Sequence, residues 1–350
     1  MKPGKLTLTL LLACLLIAKT PIGHFARADR VQSDAGDPES GEAGRTIAFV
    51  IDCVTGLAGA FRSFCEEELS YEKNGFPDTF YEPCPEQGTV SAVHTQDGSG
   101  RTSSSPVCIY TPYGYEAHPE RTYNVVFLIH GSGGDRNNWL NDVYEMPVTR
   151  EGNRKAELSG SRLLDWLIYT GRIEPVIAVS VDMCRSDGVR YRYADYADLA
   201  NRIERYDLPY TVRTYRTYAE SDAASDIAAA KDHFMIAGLS QGAICLSAVA
   251  LEPDGYLGKC FGNILIMSNY TSGETVSERF GDSDSRLFFV NGGKADCCRS
   301  GSSCEIMRRY RQFENLRDAA YFEFDSGHRW YTWFRGLASV LQIAMKETPR

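Results

Sequence analysis

The sequence predicts an α/β fold in which helices cover both faces of a mostly parallel central sheet. Strand-like and helix-like segments alternate along the chain, and the main strand-like segments are continuously apolar, as strands buried on both faces are. The residues suited to chemistry follow strands, where α/β sheets place their functional sites. Strands are expected at residues 88–96, 106–111, 124–130, 175–181, 233–237, 263–268, 286–291 and 320–324, and helices at 158–170, 241–251, 305–316 and 333–345.

Local patterns identify the individual elements. Residues 124–130 have no polar alternation, which predicts a buried strand, and residues 158–170 place Leu163, Leu164 and Leu167 on one helical face. Residues 185–220 form a long connection rich in tyrosine and arginine. Because no linker or repeat follows residue 46, residues 46–345 are expected to form one domain.

The first 28 residues have the pattern of an export signal. Two lysines precede an apolar run at 6–18 that is too short to span a bilayer comfortably, and Ala26-Arg27-Ala28 provides a small-residue cleavage site. An uncleaved anchor is the alternative. The polar, glycine- and acid-rich residues 29–45 predict a disordered leader. We therefore expect a secreted protein that has no membrane contact after signal cleavage.

The chain is acidic. Its formal net charge of −9 becomes −13 when the four basic residues of the signal are removed. An acidic surface argues against nucleic acid and anionic membranes as partners. The composition fits an exported enzyme that acts on neutral material.

Ten cysteines follow the signal segment. An even number in an exported protein predicts disulfides, although the sequence does not assign their pairing. Cys245, on the helix expected after Ser240, is also consistent with a buried free thiol. The group Cys297, Cys298 and Cys304 lacks the spacing and nearby histidines of a zinc site, so we expect no metal and no cofactor.

The motif Gly238-x-Ser240-x-Gly242 follows an apolar strand and precedes a small-residue helix. This arrangement lifts a serine hydroxyl above the end of the sheet, and the crowded turn requires glycine two residues to either side. The hydroxyl needs a histidine base, and the histidine needs a carboxylate that fixes its tautomer. Ser240 is therefore the predicted nucleophile of a serine hydrolase.

Chain order selects the base and the acid, because this architecture uses the sequence serine, acid, histidine. His328 is the one histidine after Ser240, and it follows the last expected strand. Asp296 lies on a glycine-rich turn at the end of the strand at 286–291 and is the predicted acid. Asp325 is the alternative, although it precedes His328 by only three residues.

Backbone N–H groups are expected to stabilise the oxyanion of an acyl-transfer reaction. The first belongs to Gln241, which opens the helix after the nucleophile. The second is expected in the glycine-rich loop after residues 124–130, at Ser132 or a neighbouring glycine such as Gly131. No Gly-Lys-Ser/Thr motif follows these glycines, which argues against a phosphate site.

Several segments resemble the esterase D and feruloyl esterase group of α/β-hydrolases, which is carbohydrate esterase family one. They are residues 127–135 with Trp139, 164–177, 207–210 with 215–219, 231–242, and 327–330. Gln241 and Ala243 differ from the methionine and glycine that many members carry, and residues 46–87 match no segment of the group.

This resemblance implies the α/β-hydrolase fold, the triad Ser240, Asp296 and His328, and a secreted esterase of plant cell-wall polysaccharide. The expected substrate is an acylated polysaccharide or oligosaccharide with feruloyl or other hydroxycinnamoyl esters. Deacetylation of xylan, hydrolysis of another acyl ester, and acyl transfer to an alcohol are alternatives. A binding module without activity is disfavoured, because nucleophile and base are both present.

Aromatic residues near the expected site could stack on a sugar or phenolic ring. Trp139, Trp330 and Trp333 lie near the expected site loops, and Trp139 and Trp330 are the candidates for substrate binding. The tyrosines of residues 185–220 are equally consistent with stacking on substrate and with packing inside the protein.

Overall fold

The structure is a computed structural model that describes residues 50–52, 76–146, 156–183, 196–247, 255–269, 285–292, 296, 318–324 and 326–345. All of these belong to the unit Ile47–Arg350. The expected signal segment, the leader at 29–45, the helix at 305–316 and Asp325 lie outside the described residues and remain predictions.

The described chain is built on a central sheet of nine strands. In chain order the strands are β1 (Val50–Asp52), β2 (Thr89–Val93), β3 (Val107–Thr111), β4 (Asn124–Ile129), β5 (Tyr144–Met146), β6 (Ala156–Leu158), β7 (Val176–Val181), β8 (Phe234–Leu239), β9 (Asn263–Met267), β10 (Arg286–Asn291) and β11 (Asp318–Glu323). The sheet order is β1-β11-β10-β9-β8-β4-β7-β3-β2, and β5 pairs with β6 in a separate antiparallel ladder.

The strands from β11 to β7 run parallel, and β1, β3 and β2 join as antiparallel neighbours. The predicted, mostly parallel sheet is therefore confirmed. The chain leaves β4 for β7 on one side and later crosses to β8 on the other, so the strand order reverses at β4. Such a reversal creates a crevice outside the carboxyl ends of the strands.

Helices in the described chain are α1 (Asn137–Leu140), α2 (Gly160–Tyr169), α3 (Tyr196–Arg202), α4 (Leu208–Thr214), α5 (Ala224–Ala229), α6 (Gln241–Cys245), α7 (Tyr256–Cys260) and α8 (Trp330–Ala344). The Ser159 side chain caps α2 by accepting a hydrogen bond of 3.3 Å from the Arg162 N–H. None of the helices in the described part of the chain is long and apolar enough to cross a membrane.

Residues of the central strands alternate between two cores, one on each face of the sheet. In β4, Val126 and Leu128 pack in the core that contains α2 and α8, whereas Val125 and Phe127 pack in the core that contains α3 to α7. Both faces therefore exclude water. This is the physical reason that β4 is a continuous apolar run rather than an alternating one.

Several features of the fold were not predicted, among them the short helices α1, α5 and α7. β1 pairs antiparallel with β11, β5 pairs with β6, and the tyrosine-rich connection contains α3, a π-helical turn (Ile203–Asp207) and α4. All are short, so their own sequences carry little periodicity, and tertiary contacts decide their conformation.

Cys84, Cys108, Cys245 and Cys260 are buried free thiols. The disulfide prediction is therefore wrong for these four, and the free-thiol alternative for Cys245 is confirmed. The six other cysteines of residues 29–350, including Cys297, Cys298 and Cys304, lie outside the described residues.

Candidate active site

The turn between β8 and α6 presents Ser240 at the carboxyl edge of the sheet. Ser240 has φ 50° and ψ −115°, a conformation that L residues rarely adopt. Its backbone N–H donates to the Met267 carbonyl at the end of β9, at 2.9 Å. The hydroxyl is thereby held on a strained turn whose backbone is tied to the neighbouring strand.

Steric crowding explains why glycine flanks this serine. A Cβ atom at Gly238 would lie 2.6 Å from the carbonyl carbon and oxygen of Gly242. A Cβ atom at Gly242 would lie 2.6 Å from the His130 carbonyl oxygen and 2.7 Å from that of Ile129. Backbone atoms of the turn and of β4 occupy the space that larger residues need, so the motif is a packing requirement as well as a turn signal.

The three residues predicted as nucleophile, base and acid lie together in one hydrogen-bonded chain. The Ser240 Oγ and His328 Nε2 atoms are 3.1 Å apart, and the His328 Nδ1 and Asp296 Oδ1 atoms are 2.9 Å apart. The His328 side chain is 24% exposed, whereas that of Asp296 is fully enclosed. A carboxylate bonded to Nδ1 keeps the proton on that nitrogen and leaves Nε2 free to accept one.

Asp296 is held on its other oxygen as well. Its Oδ2 atom accepts hydrogen bonds from the Ser268 hydroxyl at 2.6 Å and from the Gly292 N–H at 2.9 Å. Trp333 in α8 donates from Nε1 to the Ser268 oxygen at 3.0 Å, and its ring meets the His328 imidazole edge-on, with centroids 5.0 Å apart. Hydrogen bonds from neutral donors stabilise the ionised form of an enclosed carboxylate.

The loop after β4 lies directly against the nucleophile. A Cβ atom at Gly131 would come within 3.2 Å of the Ser240 Cβ and 2.6 Å of the Leu239 Cδ1, so glycine permits this close approach. Ser132 is exposed and the partly buried Gln241 begins α6. The structure thus brings Gly131 and the N-terminus of α6 to the same serine.

His130 fixes the orientation of that loop. Its Nε2 atom accepts a hydrogen bond from the Met183 N–H at 2.9 Å, so the ring proton is on Nδ1, which donates to the Gly131 carbonyl at 2.8 Å. In a trans peptide the next N–H points opposite to the carbonyl. The Ser132 N–H is therefore directed away from the His130 ring.

The two candidate substrate-binding tryptophans have different environments. Trp139 is 0% exposed and packs edge-on against Trp330 with centroids 5.1 Å apart, which is the environment of a core residue. Trp330 is partly exposed and stacks on Tyr144 with centroids 4.0 Å apart and an interplanar angle of 17°. Burial, followed by the Asp142 carboxylate, raises the pKa of the Tyr144 hydroxyl above its ordinary range, so this hydroxyl stays protonated.

Tyrosines after α4 pack at the opposite edge of the sheet. Tyr218 stacks on His233 with centroids 3.6 Å apart, and His233 directly precedes β8. The six residues of β8 place this stack about 20 Å from the nucleophile. Tyr215 packs against Tyr115, with centroids 6.2 Å apart. These contacts favour a packing role for both residues.

Sequence reasoning did not identify Ser268, His130 or Tyr144 as parts of the site, and it placed Trp333 near the site loops without predicting its contacts. Ser268 could have been suspected, because it ends an expected strand at the same edge of the sheet as Ser240 and Asp296. The partners of the other three depend on which loops meet in space, and no local pattern shows that.

Comparisons with known proteins add to this geometry. No family model matches the sequence. Endo-1,4-β-xylanase Y of Acetivibrio thermocellus is 27% identical over 168 residues, which are 48% of this chain and 13% of that protein.

Solved structures share the fold. The feruloyl esterase module from Clostridium thermocellum, as a mutant in complex with sinapinate, gives a TM-score of 0.61 at 18% identity over 78% of this chain and 95% of that one. The chain has the α/β-hydrolase fold. The predicted fold is confirmed, as is the resemblance to the feruloyl esterase group.

Two further solved structures share this fold. The family-one ferulic acid esterase of Anaeromyces mucronatus, in complex with ferulic acid, gives a TM-score of 0.53 at 14% identity over 77% of this chain and 96% of that one. Fluorophosphonate-binding serine hydrolase F of Staphylococcus aureus gives 0.51 at 9% identity, over 75% and 100%.

Proposed function

We propose that this α/β-hydrolase is a serine esterase that cleaves carboxylic esters through an acyl-enzyme. The observation that carries the proposal is the hydrogen-bonded chain from Asp296 through His328 to Ser240, at the edge of the sheet where β8 ends. Asp296, His328 and Ser240 act as acid, base and nucleophile.

In the first half-reaction the Ser240 oxygen attacks the ester carbonyl carbon, and His328 Nε2 takes the hydroxyl proton. The carbonyl oxygen becomes an oxyanion, which the N–H of Gln241 and an N–H of the loop at Gly131 and Ser132 stabilise. The imidazolium then gives its proton to the alcohol oxygen as the carbon–oxygen bond breaks. The alcohol leaves, and the acyl group stays on Ser240.

In the second half-reaction water attacks the acyl-enzyme while His328 takes one of its protons. The tetrahedral intermediate collapses, Ser240 recovers its proton from His328, and the carboxylic acid is released. Asp296 stays ionised throughout and stabilises the imidazolium in both halves.

The proposed substrates are feruloyl esters on plant cell-wall polysaccharide, acted on outside the cell. The names of the similar proteins support this substrate class, since they include feruloyl esterases and a xylanase. The exposed part of the Trp330–Tyr144 stack supports it too, because a flat aromatic surface two residues after the base suits a phenolic acyl group. The export pattern of residues 1–28 supports secretion.

The experiment that tests this function compares the chain from Asp29 with its Ser240→Ala variant on methyl ferulate and p-nitrophenyl acetate. Loss of the nucleophile should lower kcat by about 10⁵- to 10⁶-fold on both esters. Ser225→Ala, which alters an exposed serine of α5, serves as the matched control and should keep the wild-type rate. Full activity in Ser240→Ala would reject the mechanism. Release of acetate without ferulate would reject the feruloyl substrate alone.

A further inference from the structure

We propose that Ser268 and Trp333 form a positioning pair that holds the Asp296 carboxylate in line with His328. This inference rests on the proposed function, since it assigns how the acid of that site is oriented. Neither residue touches the reacting atoms in the mechanism above. Ser268 would act through Asp296, and Trp333 through Ser268 and through its ring contact with His328, so they are positioning residues rather than catalytic ones.

The direction of the hydrogen bonds defines the pair. An indole N–H can only donate, so the Ser268 oxygen accepts from Trp333 Nε1 at 3.0 Å. The Ser268 proton is then available for Asp296 Oδ2, which lies 2.6 Å away. The two hydrogen bonds are therefore donated in the same direction, from the Trp333 N–H to the Ser268 oxygen and from the Ser268 hydroxyl to the Asp296 carboxylate.

Anchoring one carboxylate oxygen sets the direction of the other. Oδ2 is bonded to the Ser268 hydroxyl and to the Gly292 N–H, which resists rotation of the carboxylate group. Oδ1 is thereby directed at His328 Nδ1, at 2.9 Å. Without the Ser268 bond, the carboxylate would keep the Gly292 contact but would turn more freely about it.

The surroundings allow little replacement of these bonds by water. Ser268 is 0% exposed, Asp296 3% and Trp333 7%. Ser268 also has φ 52° and follows β9, where its N–H donates to the Val290 carbonyl at 2.8 Å. The backbone of Ser268 is thus held by β10, while its hydroxyl donates to the Asp296 carboxylate.

Trp333 connects this support to the base as well. Its ring lies edge-on to the His328 imidazole, at 90° and 5.0 Å between centroids. One side chain of α8 therefore contacts the base directly and the acid through Ser268. Acid and base are aligned by the same helix, which begins two residues after His328.

The decisive variant is Ser268→Gly, because glycine adopts a positive φ freely and the hydroxymethyl group is lost without added backbone strain. We expect kcat to fall by about 10- to 100-fold, the range for one hydrogen bond to a charged group, with KM almost unchanged. A carboxylate that turns away from His328 Nδ1 stabilises the imidazolium less. The acidic limb of the kcat/KM profile should therefore move to lower pH.

Two further variants distinguish the effect of losing the hydroxyl from the effects of backbone freedom and of lost packing. Ser268→Ala should match Ser268→Gly in kcat, since both lack the hydroxyl. Trp333→Phe keeps a ring but removes the donor, and should lower kcat by about 2- to 10-fold, as expected for a neutral hydrogen bond. Adding Trp333→Phe to Ser268→Gly should not lower kcat further through the Trp333–Ser268 hydrogen bond, because Ser268→Gly has already removed the acceptor oxygen.

Ser285→Ala is the matched control. This serine is equally buried and donates to the Phe261 carbonyl at 2.7 Å, just before β10 and away from the site. It should keep both rate and pH profile. A wild-type kcat and an unmoved acidic limb in folded Ser268→Gly would overturn the positioning role, while an inactive Ser240→Ala in the same assay would leave the proposed function standing.

Discussion

The two non-glycine residues with positive φ in the described chain, Ser240 and Ser268, both belong to the site. Such conformations cost of order 1–3 kcal/mol each and persist where the surroundings impose them. Here one residue presents the nucleophile and the other supports the acid. In the described chain, strained backbone conformations therefore occur at the two serines whose side chains must be held in a fixed direction within the site.

Asp296→Asn tests the acid at the same scale. An amide in this place can present its NH₂ group to His328 and stabilise the wrong tautomer, so kcat should fall by about 10⁴-fold while the protein stays folded. The measurement is kcat on p-nitrophenyl acetate, with thermal unfolding as the test of folding. Asp325→Asn, at the alternative acid, is the control and should keep most of the rate. The reverse outcome would assign the role of acid to Asp325.

At the scale of elements, the turn from β8 to α6 fits closely under the loop after β4. Gly131 lets that loop approach Ser240, and Gly242 lets α6 approach the carbonyl groups of His130 and Ile129. The nucleophile and the loop proposed to hold the oxyanion are thus positioned by one contact between elements. A change at this contact should affect stability and activity together.

Gly242→Ala tests this contact. The added methyl group would lie 2.6 Å from the His130 oxygen, which is backbone and cannot move aside cheaply. The free energy of unfolding should fall by about 1–3 kcal/mol, the usual cost of overpacking, and a lower urea midpoint would show it. Gly98→Ala is the control, because a Cβ atom there meets nothing within 4 Å. Equal midpoints for the two variants would contradict the packing requirement.

At the scale of the whole molecule, the sheet separates two cores and buries thiols in both. Cys84 and Cys108 lie in the core with α8, and Cys245 and Cys260 lie in the other. Burial raises the pKa of the Cys260 thiol to about 12 and that of Cys245 still further. Little reactive thiolate is present at either position in the folded protein.

Iodoacetamide labelling with peptide mapping tests this arrangement. In the native protein these four cysteines should stay unmodified, and in denaturant without a reductant all four should react, because unfolding exposes them. If any of the four reacted in denaturant only after a reductant was added, it would be disulfide-bonded instead.

The sequence by itself determined the elements with strong local patterns. Continuous apolar runs identified β4, β7, β8, β9 and β10 to within a few residues, since strands buried on both faces need no polar alternation. Chain order and strand ends were enough to propose Ser240, Asp296 and His328, which the structure brings within hydrogen-bonding distance. Short elements such as β1, β5 and α3 were not predicted, because they have too few residues for periodicity.

Tertiary structure alone decided what surrounds those three residues. It enclosed Trp139 in the core while Trp330 stayed partly exposed, left four cysteines as free thiols, and placed Ser268 and Trp333 behind Asp296. The physical reason is that a local pattern reports whether a residue is buried, whereas its partners are set by distant segments that meet in space. The identity of the three proposed catalytic residues could thus be inferred from their order along the chain, whereas the contacts that align them could be seen only in the fold.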